Sequence, residues 1–153
     1  MSIASKIRTI KPDTYFIIAI VAAVSFNFAL PGKRLIPDPY TFIGVIAAMV
    51  GYLIARKANS TLIKNKTTIY AFGKPTLLIT DGPFKFSRNP IYLGMVIILL
   101  GLACFLGSLT PFIFPLLFVI IINNYIIPHE EKQLTQIFGE EYLSYKMKVR
   151  RWL

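Results

Sequence analysis

The sequence predicts an all-α integral membrane protein with about four transmembrane helices, a C-terminal helical hairpin and a cytoplasmic tail helix. Hydrophobic residues make up 55% of the 153 residues, and the mean hydropathy is +0.60. Both values are far above those of a soluble domain of this length. The apolar residues are gathered in four runs without a polar stripe, as expected of helices surrounded by lipid. We therefore predict one integral membrane domain, residues 1–153.

The four apolar runs are residues 15–30, 40–55, 91–106 and 112–127. At a rise of 1.5 Å per residue, each is slightly short for a hydrocarbon core of about 30 Å, so flanking residues must complete each span. Basic residues precede the first run, as in a signal peptide, but no small-residue cleavage site follows it. We predict that this run is a retained helix.

Basic residues between the runs predict the topology. Seven lie between the second and third runs and five in the C-terminal tail, whereas the turn at residues 107–111 has none. The positive-inside rule then predicts that both termini and the long middle segment are cytoplasmic, in a cytoplasmic (inner) membrane. The net charge of +10 is expected to meet anionic membrane lipids rather than nucleic acid.

The third and fourth runs are joined by only five residues, 107–111, so they must form an antiparallel helical hairpin. Both free ends of this hairpin return to the cytoplasmic face. We therefore expect Arg88, before the third run, to lie close to Glu130, after the fourth.

The remaining segments are also expected to lie at this face. After Pro128, a tail helix is indicated by Leu134, Phe138, Tyr142 and Tyr145, which share one helical face. Trp152, among basic residues, is typical of a headgroup-level anchor.

The connector between the second and third runs suggests an interfacial helix around residues 58–72, followed by a breaker at residues 73–75. Residues 76–80 look extended, and residues 81–83 are typical of a turn.

A first cluster of chemically capable residues occupies positions 87–94, at the start of the third run. Asn89 is a natural N-cap, and Pro90 suits the first helical position. The free N–H groups of the helix start, with the guanidinium of Arg88, predict a site for a carboxylate or phosphate. Tyr92 would lie one turn further on. Alternatively, Arg88 only reaches lipid phosphates and Tyr92 belongs to an interfacial aromatic belt.

A second cluster follows the fourth run: asparagines at 123 and 124, then His129, Glu130 and Glu131. Adjacent carboxylates can bind an amine, ribose hydroxyls or a cation, or can simply oppose a helix dipole. Asparagines at membrane depth are costly unless they face a cavity or a partner. One histidine with two glutamates, and Cys104 as the lone cysteine, do not make a zinc site, so no metal is predicted.

Segments 77–84, 87–94, 130–134 and 138–145, in this order around a hairpin, resemble the isoprenylcysteine carboxyl methyltransferase and phospholipid methyltransferase superfamily. The resemblance covers residues 76–153, which we interpret as a donor-binding catalytic core after the N-terminal helices and connector of residues 1–75. It implies S-adenosyl-L-methionine as methyl donor, bound on the cytoplasmic side, and a lipophilic acceptor that arrives from the bilayer.

The resemblance also assigns residues. It implies that the glutamate pair holds the donor's amino group or ribose hydroxyls, that Arg88 and the helix start hold its carboxylate, and that Gly94 allows close approach. The expected donor-binding residues are Gly82, Arg88, Asn89, Pro90, Tyr92, Gly94, His129, Glu130 and Glu131. The expected catalytic residues are Arg88, Tyr92, His129 and Glu130.

The acceptor is left open between two chemistries. A prenylcysteine-like carboxylate is already ionised and needs no base, whereas the ammonium of phosphatidylethanolamine would need His129 or Glu130 to remove a proton. Asn89 replaces the histidine common before proline in prenylcysteine enzymes, which resembles the phospholipid and bacterial branches. A non-catalytic membrane scaffold is the alternative of another class, and a transporter is disfavoured because the runs carry no ionisable residue.

Overall fold

The computed structural model describes residues 10–30, 32–67 and 75–153, which are helical with no β-strand among them. The helices are α1 (Pro12–Ala29), α2 (Ile43–Lys64), α3 (Pro90–Leu106), α4 (Ile113–Ile121) and α5 (Ile127–Lys148), with a π-helical segment, Ile122–Ile126, between α4 and α5. Short 3-10 turns occupy Tyr40–Phe42, Gly82–Lys85 and Thr110–Phe112.

All four apolar runs are helical, which confirms the predicted fold class. Three helical stretches, Pro12–Ala29, Tyr40–Lys64 and Thr110–Lys148, are long and apolar enough to cross a membrane, and α3 is a shorter apolar helix. Large apolar side chains such as Ile46 (63% exposed) point outward from these helices. An outward apolar surface of this kind suits lipid as the surrounding solvent.

The most extensive helix contact joins α2 and α3 through four glycines. Gly44 lies against Gly101 and Gly51 against Gly94, so the two helices run antiparallel with glycines seven residues apart on each. A Cβ atom built on any of the four would come within 3 Å of the opposite backbone. Without a hydrophobic driving force in lipid, close backbone approach of this kind is what holds membrane helices together.

The predicted hairpin between α3 and α4 is present, and its turn is also tied to the α1–α2 connection. Gly107 ends α3 in the left-handed conformation, with φ +73°, which glycine adopts without steric cost. Its carbonyl accepts hydrogen bonds from the backbone N–H groups of Leu35 and Ile36, and Leu109 N–H donates to the Lys33 carbonyl.

The sequence suggested a tail helix separate from the fourth span, but the structure joins the two. The chain remains helical from α4 through the π segment into α5. Pro128 lacks the N–H that would bond the carbonyl of Asn124, which accounts for a widened turn just before it. The sharp bend lies instead at Gly139, with φ 51° and ψ −124°.

The connector was predicted in part. The turn at residues 81–83 is confirmed by the 3-10 turn Gly82–Lys85. The first part of the predicted interfacial helix is a continuation of α2, where Ala58 and Leu62 are buried against the core. The predicted helix does not continue through residues 65–67, because α2 ends at Lys64. Its remaining residues, 68–72, and residues 73 and 74 of the breaker at 73–75 fall outside the described residues.

Replacing Gly44 by leucine should separate α2 from α3. The side chain would have to displace backbone of the facing helix, so we expect a loss of about 3 kcal/mol or more in unfolding free energy. Thermal unfolding in detergent would measure this. Val45→Leu is the control, since it places a leucine at the neighbouring position, which is 41% exposed. Equal melting temperatures for the two variants would contradict a close α2–α3 contact at Gly44.

Candidate functional site

Arg88 and Glu131 form a buried ion pair at the charged end of the bundle. The distance from Arg88 Nη2 to Glu131 Oε1 is 3.0 Å, and their side chains are 8% and 9% exposed. Arg88 precedes the first residue of α3, and Glu131 lies in the second turn of α5. The hairpin therefore brings the two predicted clusters together, although 43 residues separate them in the chain.

Glu131 is the centre of a larger cluster of charges. Its carboxylate accepts two hydrogen bonds from Arg151, at 2.9 Å from Nη2 and 3.1 Å from Nε. Lys146 Nζ lies 3.5 Å away. Burial alone would raise the pKa of Glu131, but the hydrogen bonds from Arg151 and the charges of Arg88, Arg151 and Lys146 outweigh burial and lower it. Glu131 is therefore ionised at neutral pH.

The last residues of the chain return to the start of α3. The backbone N–H of Arg88 donates to the Arg150 carbonyl at 3.0 Å. The Arg151 carbonyl accepts from Asn89 Nδ2 at 2.9 Å and Ser87 Oγ at 3.3 Å. Asn89 holds the N-cap position, but its side chain makes no capping bond, so the predicted side-chain cap is wrong. Its amide is used to fasten the tail instead.

Asn123, in the π segment, fixes the other side of this tail. Its Oδ1 accepts hydrogen bonds from Arg151 Nη1 at 3.2 Å and Trp152 Nε1 at 3.1 Å. Trp152 packs against the buried core, so its predicted orientation toward lipid headgroups is wrong. The expectation that an asparagine at this depth needs a partner is met by the tail.

Glu130 sits beside this cluster in a different environment. It is 3% exposed, and its Oε1 accepts a hydrogen bond from the Tyr92 hydroxyl at 2.7 Å. It lies in α5 beyond the apolar stretch that ends at Ile127. Burial raises the pKa of Glu130 to about 8. The hydrogen bond from Tyr92 lowers this pKa and the charge of Glu131 raises it, but burial has the largest effect. The pKa values of the two adjacent glutamates are therefore shifted in opposite directions, upward for Glu130 and downward for Glu131.

A closed cavity adjoins these groups. Arg88, Asn89, Glu130 and Glu131 form its polar part, and the apolar lining residues are Leu62, Pro75, Leu77, Leu78, Ile79, Phe84 and Leu134. The free space is about 30 Å³, room for about one water molecule. Two nitrogens of Arg88, Nε and Nη1, are buried and have no hydrogen-bond partner among the described residues. Unsatisfied buried donors are rare and costly.

Tyr142 and Tyr145 complete the lining, and the Tyr145 hydroxyl donates to the Phe84 carbonyl at 2.7 Å. Burial raises the pKa of Tyr142 to about 12. These residues lie on the face predicted for the tail helix.

Other predicted site residues lie elsewhere. Gly82 and Pro90 line a second, open cavity, and Gly94 is packed on Gly51 in the α2–α3 contact. His129 is half-buried and does not line the closed cavity. Among the described residues, no group of three or more metal-ligand side chains is close enough to hold a metal ion.

Arg151 is the site residue that sequence reasoning missed, since it was considered only as a topological charge. Its one local signal is its position among the basic residues that follow the tail helix.

The apolar helices, together with a buried cavity lined by charged residues, define an integral membrane protein with a polar site at one end of its bundle. The sequence profile of the phospholipid methyltransferase family matches residues 40–141, a stretch that begins just before α2 and contains Arg88 and both glutamates. The chain belongs to the phospholipid methyltransferase family.

Individual relatives bear related names. The protein-S-isoprenylcysteine O-methyltransferase of Schizosaccharomyces pombe is 37% identical over 79 residues, covering 50% of this chain and 32% of that protein. A probable protein-S-isoprenylcysteine O-methyltransferase of Oryza sativa is 29% identical over 116 residues, covering 74% of this chain and 60% of that protein. An uncharacterized protein of Haemophilus influenzae is 41% identical over 63 residues, which are 41% of this chain and all of that protein.

The chain thus spans about a third of the yeast enzyme and three fifths of the rice protein. No solved structure matches the chain.

Replacing Glu131 by glutamine should destabilise the protein far more than the same change at an exposed site. The variant leaves the buried Arg88 without its counter-charge, a change that costs about 3 kcal/mol in buried ion pairs. Chemical unfolding in detergent micelles would measure the loss. Glu140→Gln, an exposed change on α5, is the matched control, and a loss no larger than that of the control would show that the cluster contributes little stability.

Proposed function

We propose that the protein transfers a methyl group from S-adenosyl-L-methionine to a lipophilic acceptor at the charged end of the bundle. The observation that carries the proposal is the pair of buried, unpaired Arg88 nitrogens in a cavity that also contains Glu130 and Glu131. Such donors call for an anionic ligand group. Membership of a methyltransferase family supports an amino acid carboxylate of the methyl donor as that group.

The chemistry of the cavity fits this donor. Guanidinium N–H groups suit a carboxylate, carboxylates suit an ammonium or ribose hydroxyls, and the apolar wall suits an adenine ring. The free space is much too small for a nucleoside, so donor binding requires the wall formed by residues 75–79 to move outward. That wall has no regular secondary structure and is the part of the lining best able to move.

The two glutamates are assigned different roles. Glu131 is already paired with Arg88, Arg151 and Lys146, so we assign it to holding Arg88 in position. Glu130 has a hydrogen bond from Tyr92 alone among these groups, and we assign it to the ammonium or ribose hydroxyls of the donor. We place the charged end on the cytoplasmic side, where the donor is dissolved, because basic residues concentrate there.

S-Adenosyl-L-methionine supplies a methyl group that is bonded to a sulfonium sulfur. On transfer, the sulfur keeps the electron pair of the broken C–S bond and becomes a neutral thioether. The residues of this chain then need only hold the acceptor in line and exclude water. A carboxylate acceptor reaches the site ionised and forms a methyl ester without loss of a proton. We propose this acceptor class, a prenylcysteine-like carboxylate, from the names of the yeast and rice relatives.

Replacing Arg88 by lysine should weaken binding of the donor and of its product S-adenosyl-L-homocysteine by at least about tenfold. Lysine keeps the charge but loses the planar set of N–H donors that a carboxylate pairs with, and one charge-assisted hydrogen bond is worth about 1.5–3 kcal/mol. Isothermal calorimetry with S-adenosyl-L-homocysteine on purified protein measures the affinity.

Arg150→Lys is the control for this experiment, since its side chain is exposed and only its carbonyl bonds to Arg88. If Arg88→Lys bound S-adenosyl-L-homocysteine as tightly as the unaltered protein, the assignment of Arg88 to the donor site would be wrong. If the unaltered protein bound neither ligand, and transferred no methyl group from labelled donor to any lipid of an extract, the proposed function would be abandoned in favour of a scaffold.

The acceptor class can be determined from the product bond. With donor labelled in its methyl group and a bacterial lipid extract, or an N-acetylated S-farnesylcysteine, we expect label that is released as methanol by mild alkali, because methyl esters hydrolyse there and N-methyl groups do not. Alkali-stable label in the phospholipid fraction would contradict a carboxylate acceptor. Heat-inactivated protein in the same extract controls for carry-over of label.

Phosphatidylethanolamine is the second candidate acceptor, favoured by the buried Glu130 beside Tyr92. An ammonium must lose a proton before it attacks, and Glu130 is a carboxyl group of the cavity with a suitably raised pKa. Since a base acts only when deprotonated, the rate with this acceptor would rise as the pH passes through about 8. Glu130→Gln should then abolish the rise. At saturating S-adenosyl-L-methionine, where the ionisation of Glu130 no longer limits donor binding, transfer to a carboxylate should show no such dependence.

A further inference from the structure

A second concave surface lies on the other side of residues 87–90 from the closed cavity. It consists of two adjoining cavities of about 600 and 580 Å³ that share Leu53, Lys57 and Gly82. We call this surface the α2 groove. Ser87 and Pro90 line the groove, whereas Arg88 and Asn89 line the closed cavity, so the two are separated by one segment of chain.

One half of the α2 groove is cationic. Its lining residues on α2 follow helical spacings of three and four, so they form a stripe along one face. The stripe consists of Leu53, Arg56, Lys57, Ser60, Thr61, Lys64 and Asn65. Lys85 is added from the turn Gly82–Lys85, which packs against α2. Four cations and no acidic side chain are found among the described lining residues of the two cavities.

The other half of the groove is apolar. It is lined by Leu53, Ile54, Phe86, Leu93 and Leu153 together with prolines 83 and 90. Phe86 is 74% exposed and Leu53 56% exposed, although both lie next to cationic residues. Leu53 and Ile54 of α2 and Leu93 of α3 belong to the apolar runs, whereas Arg56, Lys57 and Lys64 lie nearer the charged end of α2.

The geometry points to the α2 groove as a binding site for one anionic phospholipid. A phosphodiester would meet Arg56, Lys57 and Lys64, and the acyl chains of the lipid would lie along the apolar half. Lys85 is already paired with Asp81, at 3.4 Å. The order of these two halves matches the order of headgroup and chain in a leaflet, and charge complementarity selects a lipid with net negative charge over a zwitterionic one. A basic groove between membrane helices differs from scattered basic residues because its occupancy saturates at one lipid. This inference does not depend on methyl transfer.

Native mass spectrometry in a neutral detergent tests the site. The protein is titrated with phosphatidylglycerol and, separately, with phosphatidylcholine of the same acyl chains. We expect one phosphatidylglycerol retained per chain and much weaker retention of phosphatidylcholine. Equal retention of the two lipids, or gradual uptake of many phosphatidylglycerol molecules without a step at one, would overturn the proposal.

Paired charge variants separate a site from general attraction. Lys57→Gln with Lys64→Gln should weaken phosphatidylglycerol binding about thirtyfold, since each cation near a lipid surface contributes about fivefold. Lys132→Gln with Lys148→Gln removes the same charge from exposed positions on α5 and should change binding less than about threefold. Equal weakening in both pairs would show bulk electrostatics instead of a site. Matching melting temperatures are required of the two pairs before the affinities are compared.

A competition experiment distinguishes the lipid from a soluble phosphate. Glycerophosphoglycerol has the headgroup but no acyl chains. At about a hundredfold molar excess over phosphatidylglycerol, it should fail to displace the bound lipid. Displacement by glycerophosphoglycerol or by inorganic phosphate would show that the groove recognises a phosphate alone, and the lipid assignment would be wrong.

Discussion

The buried carboxylate of Glu131 is the interaction on which the charged end of this protein depends. It pairs with Arg88 from the start of α3 and with Arg151 from the C-terminal tail, and Lys146 from α5 lies nearby. Burying Arg88 or Glu131 alone would cost several kcal/mol, so each of these two charges is tolerated only because the other is present. One carboxylate therefore holds the start of α3 and the C-terminal tail against α5.

This arrangement explains why Arg88 retains unused donors. Glu131 occupies only Nη2 of the guanidinium, and the tail binds the backbone and neighbouring side chains of this segment rather than Nε or Nη1. A structural arginine is normally surrounded until its donors are satisfied. Here the surroundings hold the group firmly but leave two donors over a cavity, which is the arrangement expected where a ligand completes the coordination.

The glycine contact supplies the rigid base for this end. Gly51 and Gly94 bring α2 and α3 into backbone contact one turn beyond Pro90, which packs the start of α3 closely against α2. The same contact places Leu62 of α2 in the lining of the cavity and Ala58 in the buried core. Gly94 was expected to let a ligand approach closely. The structure gives its missing side chain a different use, the approach of another helix.

Much of the fold was predictable because lipid imposes simple rules. Apolar runs gave the helices, and the five-residue link of residues 107–111 gave the hairpin and hence the meeting of Arg88 with Glu131. Local patterns also located Asn89 and Pro90 correctly at the start of α3. For Asn89 and Trp152 the prediction failed because of contacts made by the C-terminal tail, whose return path has no periodicity or turn signal to reveal it.

The tail also explains why two local interpretations were wrong. Asn89 has the ordinary properties of a capping residue, but its amide group donates to the Arg151 carbonyl, which a cap in isolation would not offer. Trp152 has the composition of a headgroup anchor, but Asn123 accepts its N–H inside the bundle. Asn123 can face the tail because the π segment before Pro128 rotates the helix at this point. The π segment thus presents Asn123 to Arg151 and Trp152, and the tail fastened in this way bonds in turn to the backbone of Arg88.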